Sequence, residues 1–172
     1  MTRRVCDVMT SGVITIGPRA PLREAARVMK DLNVGSLPVC EGERLVGVVT
    51  DRDITIRAVS SALDAMSTPV AEIMTVAPKY CFDTDPIERA SALMQQLQIR
   101  RLPVIDADNK LAGIVTLGDI AVRGGRENAS RALASISTPA EPHRPPGLSP
   151  LERTNRLAMP VAWGLGQAGG GI

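Results

Sequence analysis

The sequence predicts an α/β (α+β) protein built from two tandem β-α-β-β-α units packed with pseudo-two-fold symmetry. Three observations carry this expectation. A set of short motifs returns after about 65 residues, the signature of an internal structural repeat. Each copy contains one stretch with apolar residues at helical spacing. Each copy then holds two β-branched runs separated by a turn.

Taken in chain order, Asp7-Val8-Met9-Thr10 returns as Glu72-Ile73-Met74-Thr75. Pro21-Leu22 with Ala25, Ala26, Met29 and Leu32 returns as Pro86-Ile87 with Ala90, Met94 and Leu97, so each copy has an amphipathic helix with one face to bury. Next come Val34-Gly35-Ser36-Leu37-Pro38-Val39 and its counterpart Ile99-Arg100-Arg101-Leu102-Pro103-Val104. Leu45-Val46-Gly47-Val48-Val49-Thr50 is matched by Leu111-Ala112-Gly113-Ile114-Val115-Thr116. The runs at 37–39 and 45–49 read as hairpin strands around Glu41-Gly42-Glu43, and the second hairpin turns at Ala107-Asp108-Asn109. A second helix is expected after Thr50 and after Thr116. One unit alone would leave its helical face exposed, so the two are expected to pack helix face to helix face over a shared core.

The units are placed at 5–60 and 72–123, with a linker at 61–71 in which Thr68 caps a short helix and Pro69 takes its first position. Beyond them, residues 124–172 shift to Pro, Gly, Ser and Ala, with prolines at 139, 142, 145, 146 and 150, and are expected to be disordered or loosely docked. The glycine string at 164–169 follows no strand pattern, which argues against a dinucleotide fingerprint, and Leu157, Met159, Val161 and Trp163 offer a short apolar anchor.

Composition narrows the function. A net charge of +2, with basic and acidic residues interspersed, gives no footprint for duplex nucleic acid. Tyr80, Phe82 and Trp163 are the only aromatic residues, too few for a single-strand stacking platform. No apolar run has the length of a signal peptide or membrane span, so a soluble cytoplasmic protein with no membrane partner is expected. Cys6, Cys40 and Cys81 form no C-x-x-C and read as buried thiols, a Cys6–Cys40 disulfide being the alternative. The one histidine, His143, lies in the proline-rich tail with no ligand set or nucleophile around it, so neither a metal site nor catalysis is expected.

The repeated chemistry is Gly47-Val48-Val49-Thr50-Asp51-Arg52-Asp53, echoed as Gly113-Ile114-Val115-Thr116-Leu117-Gly118-Asp119. It places a strand end against a helix start, where a threonine hydroxyl and unpaired N–H groups favour a phosphate. Asp53 and Asp119, one turn on, suit the vicinal hydroxyls of a ribose. The competing reading is a capping box, in which each Asp only reaches back to its own cap N–H. Preceding each strand, Val34-Gly35-Ser36-Leu37 and Ile99-Arg100-Arg101-Leu102 supply an apolar step able to sandwich a flat base.

Over residues 5–123 these motifs resemble a tandem pair of CBS domains, the arrangement called a Bateman module. The resemblance implies an adenosyl ligand such as AMP, ADP, ATP, S-adenosylmethionine or NAD, with Thr50 and Asp53 serving one site and Thr116 and Asp119 the other. It also implies base contacts from Thr15, Ile16, Val34 and Leu37 in one copy, and from Tyr80, Cys81, Ile99 and Leu102 in the other. Arg52 in the first copy, and Arg100 and Arg101 in the second, distribute phosphate-directed charge unequally, although a solvated strand entry or dimer salt bridge would also suit Arg100 and Arg101. A homodimer and a separate regulated protein complete the implied partners. A protein-interaction scaffold whose sites stay empty is the rival function.

Overall fold

The computed structural model describes residues 3–123 together with residues 133–134. The expectations placed on the rest of the tail, including His143, the glycine string and the Leu157 to Trp163 anchor, lie outside the described residues. A short 3-10 turn, Val5–Asp7, opens the chain and leads to β1 (Thr10–Ser11). Helix α1 (Leu22–Leu32) follows, then the hairpin of β2 (Ser36–Glu41) and β3 (Arg44–Thr50). The second copy repeats this as a 3-10 turn Val70–Glu72, β4 (Thr75–Val76), β5 (Cys81–Phe82), a helix Ile87–Leu97, and the hairpin of β6 (Arg101–Ile105) and β7 (Leu111–Thr116).

The helices after each hairpin differ. In the first copy α2 (Asp51–Asp53) widens at once into a π-type turn, Ile54–Ala58, and ends in the 3-10 turn Val59–Ser61. With the helix Ile87–Leu97 as α3, the second copy closes on a regular α4 (Leu117–Arg123). Buried stripes on α1 and α3 follow the expected spacing: Leu22, Ala25 and Met29 on one, Ile87, Ala90, Ser91 and Met94 on the other. The α1 stripe is narrower than the sequence suggested, since Ala26 and Leu32 are exposed. Both helices end on a residue in the left-handed region, Asn33 (φ 53°) and Gln98 (φ 52°), whose N–H groups close the last turn onto Lys30 and Gln95 carbonyls.

The copies exchange their leading segments. β1 pairs antiparallel with β7 of the second copy, giving one sheet of order β1-β7-β6-β5, while β4 pairs with β3 of the first, giving β2-β3-β4. Val5 and Val8 therefore sit in the second copy's core with Ile87, Met94, Leu102 and Ile120, and Val70 and Ile73 sit in the first copy's core with Leu22, Met29, Leu37 and Val49. The backbone bonds of the two crossings match. Val5 and Cys6 N–H donate to the Asp85 and Asp83 carbonyls, and Val70 and Ala71 N–H donate to those of Ala20 and Pro18. At the pseudo-two-fold the hairpin tips touch, where Arg44 bridges Lys110, Lys110 pairs with Glu43, and Leu111 N–H donates to the Glu43 carbonyl.

Three local expectations are corrected. Helix faces do not share one core: the buried residues form two separate clusters, each with its own long helix and sheet plus the other copy's arm, so it is strand exchange that hides the otherwise open edges. Pro69, not Thr68, holds the cap position of the Val70–Glu72 turn: its backbone is extended (ψ 150°) and its carbonyl accepts the first bond of the turn, from Glu72 N–H. No disulfide joins Cys6 and Cys40, and Cys6 is exposed rather than buried.

Candidate functional site

Each Gly-h-h-Thr-x-x-Asp segment runs off a strand edge into a helix start, and the two are nearly superimposable in their bonding. Asp53 Oδ2 accepts from Thr50 N–H at 3.0 Å and from the Thr50 hydroxyl at 2.7 Å, while Asp53 N–H donates to Thr50 Oγ1 at 3.0 Å. In the second copy the corresponding distances are 2.9, 2.6 and 3.1 Å. Both motifs are thus closed capping boxes, which fixes the aspartate side chain at the helix mouth. One carboxylate oxygen serves the box. The other, Asp53 Oδ1, faces the Arg57 guanidinium at 3.4 Å, and Arg57 also donates to the Ile73 carbonyl at 2.6 Å.

A cleft of about 820 Å³ opens between the copies beside the first of these motifs. Leu37, Pro38, Val48, Ile99, Pro103 and Ile114 contribute apolar wall from both sheets. Arg52, Lys79, Arg100 and Arg101 bring four cations to it against the one carboxylate of Asp51. Arg101 spans the opening, its Nη1 donating to Ser36 Oγ at 3.1 Å. Gly35 matters here because a Cβ would lie 3.0 Å from Asp51 Oδ2; its absence leaves room for that carboxylate, where the second copy sets Arg100 before Leu117. The cavity combines flat apolar walls with concentrated positive charge, the two features that a base carrying phosphate requires.

Of the residues singled out from sequence, Thr50, Arg52, Leu37, Ile99, Arg100 and Arg101 line this cleft. Val34 lines a smaller depression of about 330 Å³ with Met29, Asp51 and Ile54. Ile16, Leu37, Cys81 and Leu102 are buried in the two cores, Thr15 is exposed, and the exposed Tyr80 ring meets Phe82 edge-on at 5.7 Å. Cys81 illustrates the core setting: burial, helped by the nearby Asp85 charge and opposed by Arg89, pushes its thiol up to about 12. Asp53, Thr116 and Asp119 stand outside the cleft lining, partly buried at their helix starts. Sequence reasoning missed Lys79, Thr75 and Pro78, which reach the cleft only because β4 crosses into the first copy's sheet. It also missed Arg57 and Arg123, although both stand four residues after the repeated aspartate.

Among the described residues no group of three or more His, Cys, Asp or Glu side chains gathers as a metal ligand set, and no helix is long and apolar enough to cross a membrane.

Comparison with known proteins agrees with this architecture. The family model described as "CBS domain" matches residues 5–59 and again 70–123. The CBS domain-containing protein YhcV of Bacillus subtilis is 46% identical over 134 residues, spanning 77% of this chain and 94% of that protein. Among solved structures, Hypoxic Response Protein I with two coordinated zinc ions superimposes with a TM-score of 0.66 at 34% identity, covering 70% of this chain and 98% of that one. The structure of CBSX2 in complex with AMP gives a TM-score of 0.58 at 31% identity, over 77% and 97% of the two chains. Two family matches, a repeat whose copies exchange arms, and a cleft at the Thr-x-x-Asp motif together establish that the chain belongs to the CBS-domain family, carrying two copies of the domain in tandem.

Proposed function

We propose that this protein is a sensor whose inter-copy cleft binds an adenine nucleotide, AMP, ADP or ATP, and relays its presence to a separate protein partner in the cytoplasm. The observation that carries the reading is the convergence of apolar walls and four cations beside the Thr50–Asp53 box. In this reading the base lies against Pro38 and Ile99, phosphate oxygens meet Arg52, Arg100 and Arg101, and a ribose hydroxyl meets the Thr50–Asp53 box at Thr50, the member that lines the cleft. The AMP complex of CBSX2 supports the ligand class. S-adenosylmethionine and NAD carry the same adenosyl group and compete for the same assignment. No step of the reading requires bond making or breaking, so the protein acts by binding rather than by catalysis. Exposed Ile56, Val59 and Val122 on the helix faces after the two hairpins support a homodimer that buries them.

The rival reading, a ligand-free interaction scaffold, draws on the closed capping boxes, since each aspartate already has a structural task. Thermal shift followed by titration separates the two, using AMP, ADP, ATP, NAD, S-adenosylmethionine and GTP. A ligand that binds only the folded protein at a hundred times its Kd adds about 2.7 kcal/mol. The sensor reading expects a saturable, adenosine-dependent rise. It also expects Asp53→Asn, which keeps an acceptor for Thr50 N–H but removes the charge, to weaken binding without unfolding the chain. No shift with any compound establishes the scaffold reading instead.

A further inference from the structure

Arg57 and Arg123 occupy equivalent places and make equivalent contacts. Arg57 Nη1 donates to the Ile73 carbonyl at 2.6 Å, and Arg123 Nη1 donates to the Val8 carbonyl at 3.2 Å. Ile73 and Val8 are themselves repeat equivalents, and each lies on the arm that has crossed from the other copy. Each helix that begins at a Thr-x-x-Asp box therefore ends its first turns on a guanidinium holding the foreign arm. The copies differ in one respect. Arg57 also pairs with Asp53 Oδ1 at 3.4 Å, whereas among the described residues no salt bridge joins Arg123 to Asp119.

We infer that Arg57 is a positioning residue that couples occupancy of the cleft to the order of the arm carrying Ile73 and β4. The inference rests on the adenine-nucleotide reading of that cleft. Thr50 lines the cleft and its hydroxyl donates to Asp53 Oδ2 at 2.7 Å, while Asp53 Oδ1 faces Arg57 at 3.4 Å. A ligand seated against Thr50 pins the box, the box pins the carboxylate, the carboxylate pins the guanidinium, and its second nitrogen pins the Ile73 carbonyl. Arginine suits this task because its planar fork presents two nitrogens to two acceptors at once. The held segment returns to the ligand: two residues beyond Ile73 the chain enters β4, and Thr75, Pro78 and Lys79 form part of the cleft wall. β4 has only two register pairs with β3, Gly47–Val76 and Val48–Thr75, and both its residues are exposed, so little else secures it past Ile73. The π-type turn Ile54–Ala58 places Arg57 on this path, a wider turn at a point where function and geometry meet.

The test is hydrogen exchange on the full chain, with AMP as probe, comparing the wild type, Arg57→Met and Arg123→Met at equal fractional saturation. In the ligand-free protein, Arg57→Met is expected to speed exchange of residues 70–78 while leaving residues 3–11 as they were, and Arg123→Met the reverse. AMP is expected to slow exchange of residues 70–78 in the wild type and in Arg123→Met by roughly tenfold, the usual size of an inter-site coupling, and to lose most of that effect in Arg57→Met. Protection of the cleft wall at residues 35–38 should persist in Arg57→Met, since those residues touch the ligand without the relay. Equal AMP protection of 70–78 with and without Arg57 overturns the coupling. Failure of the wild type to bind AMP or the other adenosyl compounds overturns the ligand reading and the coupling with it, and unchanged ligand-free exchange in Arg57→Met overturns the tether itself.

Discussion

Gly113→Ala tests the strand exchange where it is tightest. A Cβ built on Gly113 falls on the backbone carbonyl oxygen of Thr10, with Met9 Sδ 3.3 Å away. The repeat equivalent, Gly47, would meet Met74 Sδ at 2.5 Å and the Thr75 carbonyl at 3.1 Å. The difference decides the outcome: a methionine side chain swings aside, whereas a strand backbone does not. Overpacking a core ordinarily costs about 1–3 kcal/mol. If the clash instead frees the arm, Val5 and Val8 return to water, at about 1.5–3 kcal/mol each. Set against these is a gain of about 0.4–1 kcal/mol from stiffening the unfolded chain. The cheaper route sets the net loss, about 1–2.5 kcal/mol for Gly113→Ala and about 1 kcal/mol or less for Gly47→Ala. With a urea slope near 2 kcal/mol per molar, the midpoint should fall by about 0.5–1.3 M for the first and by under about 0.5 M for the second. Equal midpoints, or a larger loss at Gly47, would refute the claim that β1 packs backbone to strand against β7.

The cores and the helix ends carry three more predictions. Cys81 has its thiol pushed up to about 12 against an ordinary 9.0, chiefly by burial, so folding prefers the protonated form. Its contribution is intact below pH 9 and is lost as pH rises toward the folded value, which a urea series from pH 8 to 11 should register as a fall that Cys81→Ala lessens. Under native conditions a thiol reagent should label exposed Cys6 quickly and leave Cys40 and Cys81 until the chain opens; fast labelling of all three would contradict the burial. At the end of α3, Gln98 holds φ 52°, so Gln98→Gly is expected to stabilise by about 0.5–1 kcal/mol, seen as a rise in Tm, and a fall would mean the side chain contributes more than its strain costs.

Much of the architecture was legible because the repeat writes each element twice. The α1 and α3 stripes, both hairpins and the turn positions at Gly42 and Asn109 follow from spacing alone. The arm exchange was not legible, for a reason of symmetry. Asp7-Val8-Met9 and Glu72-Ile73-Met74 have the same offset within their copies, so the hydrophobic pattern is satisfied equally whether each arm folds onto its own copy or the other. The same ambiguity hid Thr75, Pro78 and Lys79 from the cleft. Arg57 and Arg123 had a visible signal, Thr-x-x-Asp-x-x-x-Arg occurring twice, but their acceptors are backbone carbonyls, which leave no mark in sequence. The base residues inferred by resemblance divide along burial: Ile99 reaches the cleft, whereas Ile16, Cys81 and Leu102 spend their side chains on the cores.

The crossed arms also impose an order on synthesis. Thr10 emerges about a hundred residues before its strand partner Ile114, some 5–20 s at usual elongation rates. Through that interval the first copy completes itself as soon as Ile73 and Val76 appear, while the N-terminal arm trails with Val5 and Val8 unhoused. The chain thus closes like a belt whose strap is made early and buckled late, and until then a neighbouring chain on the same messenger competes for that strap.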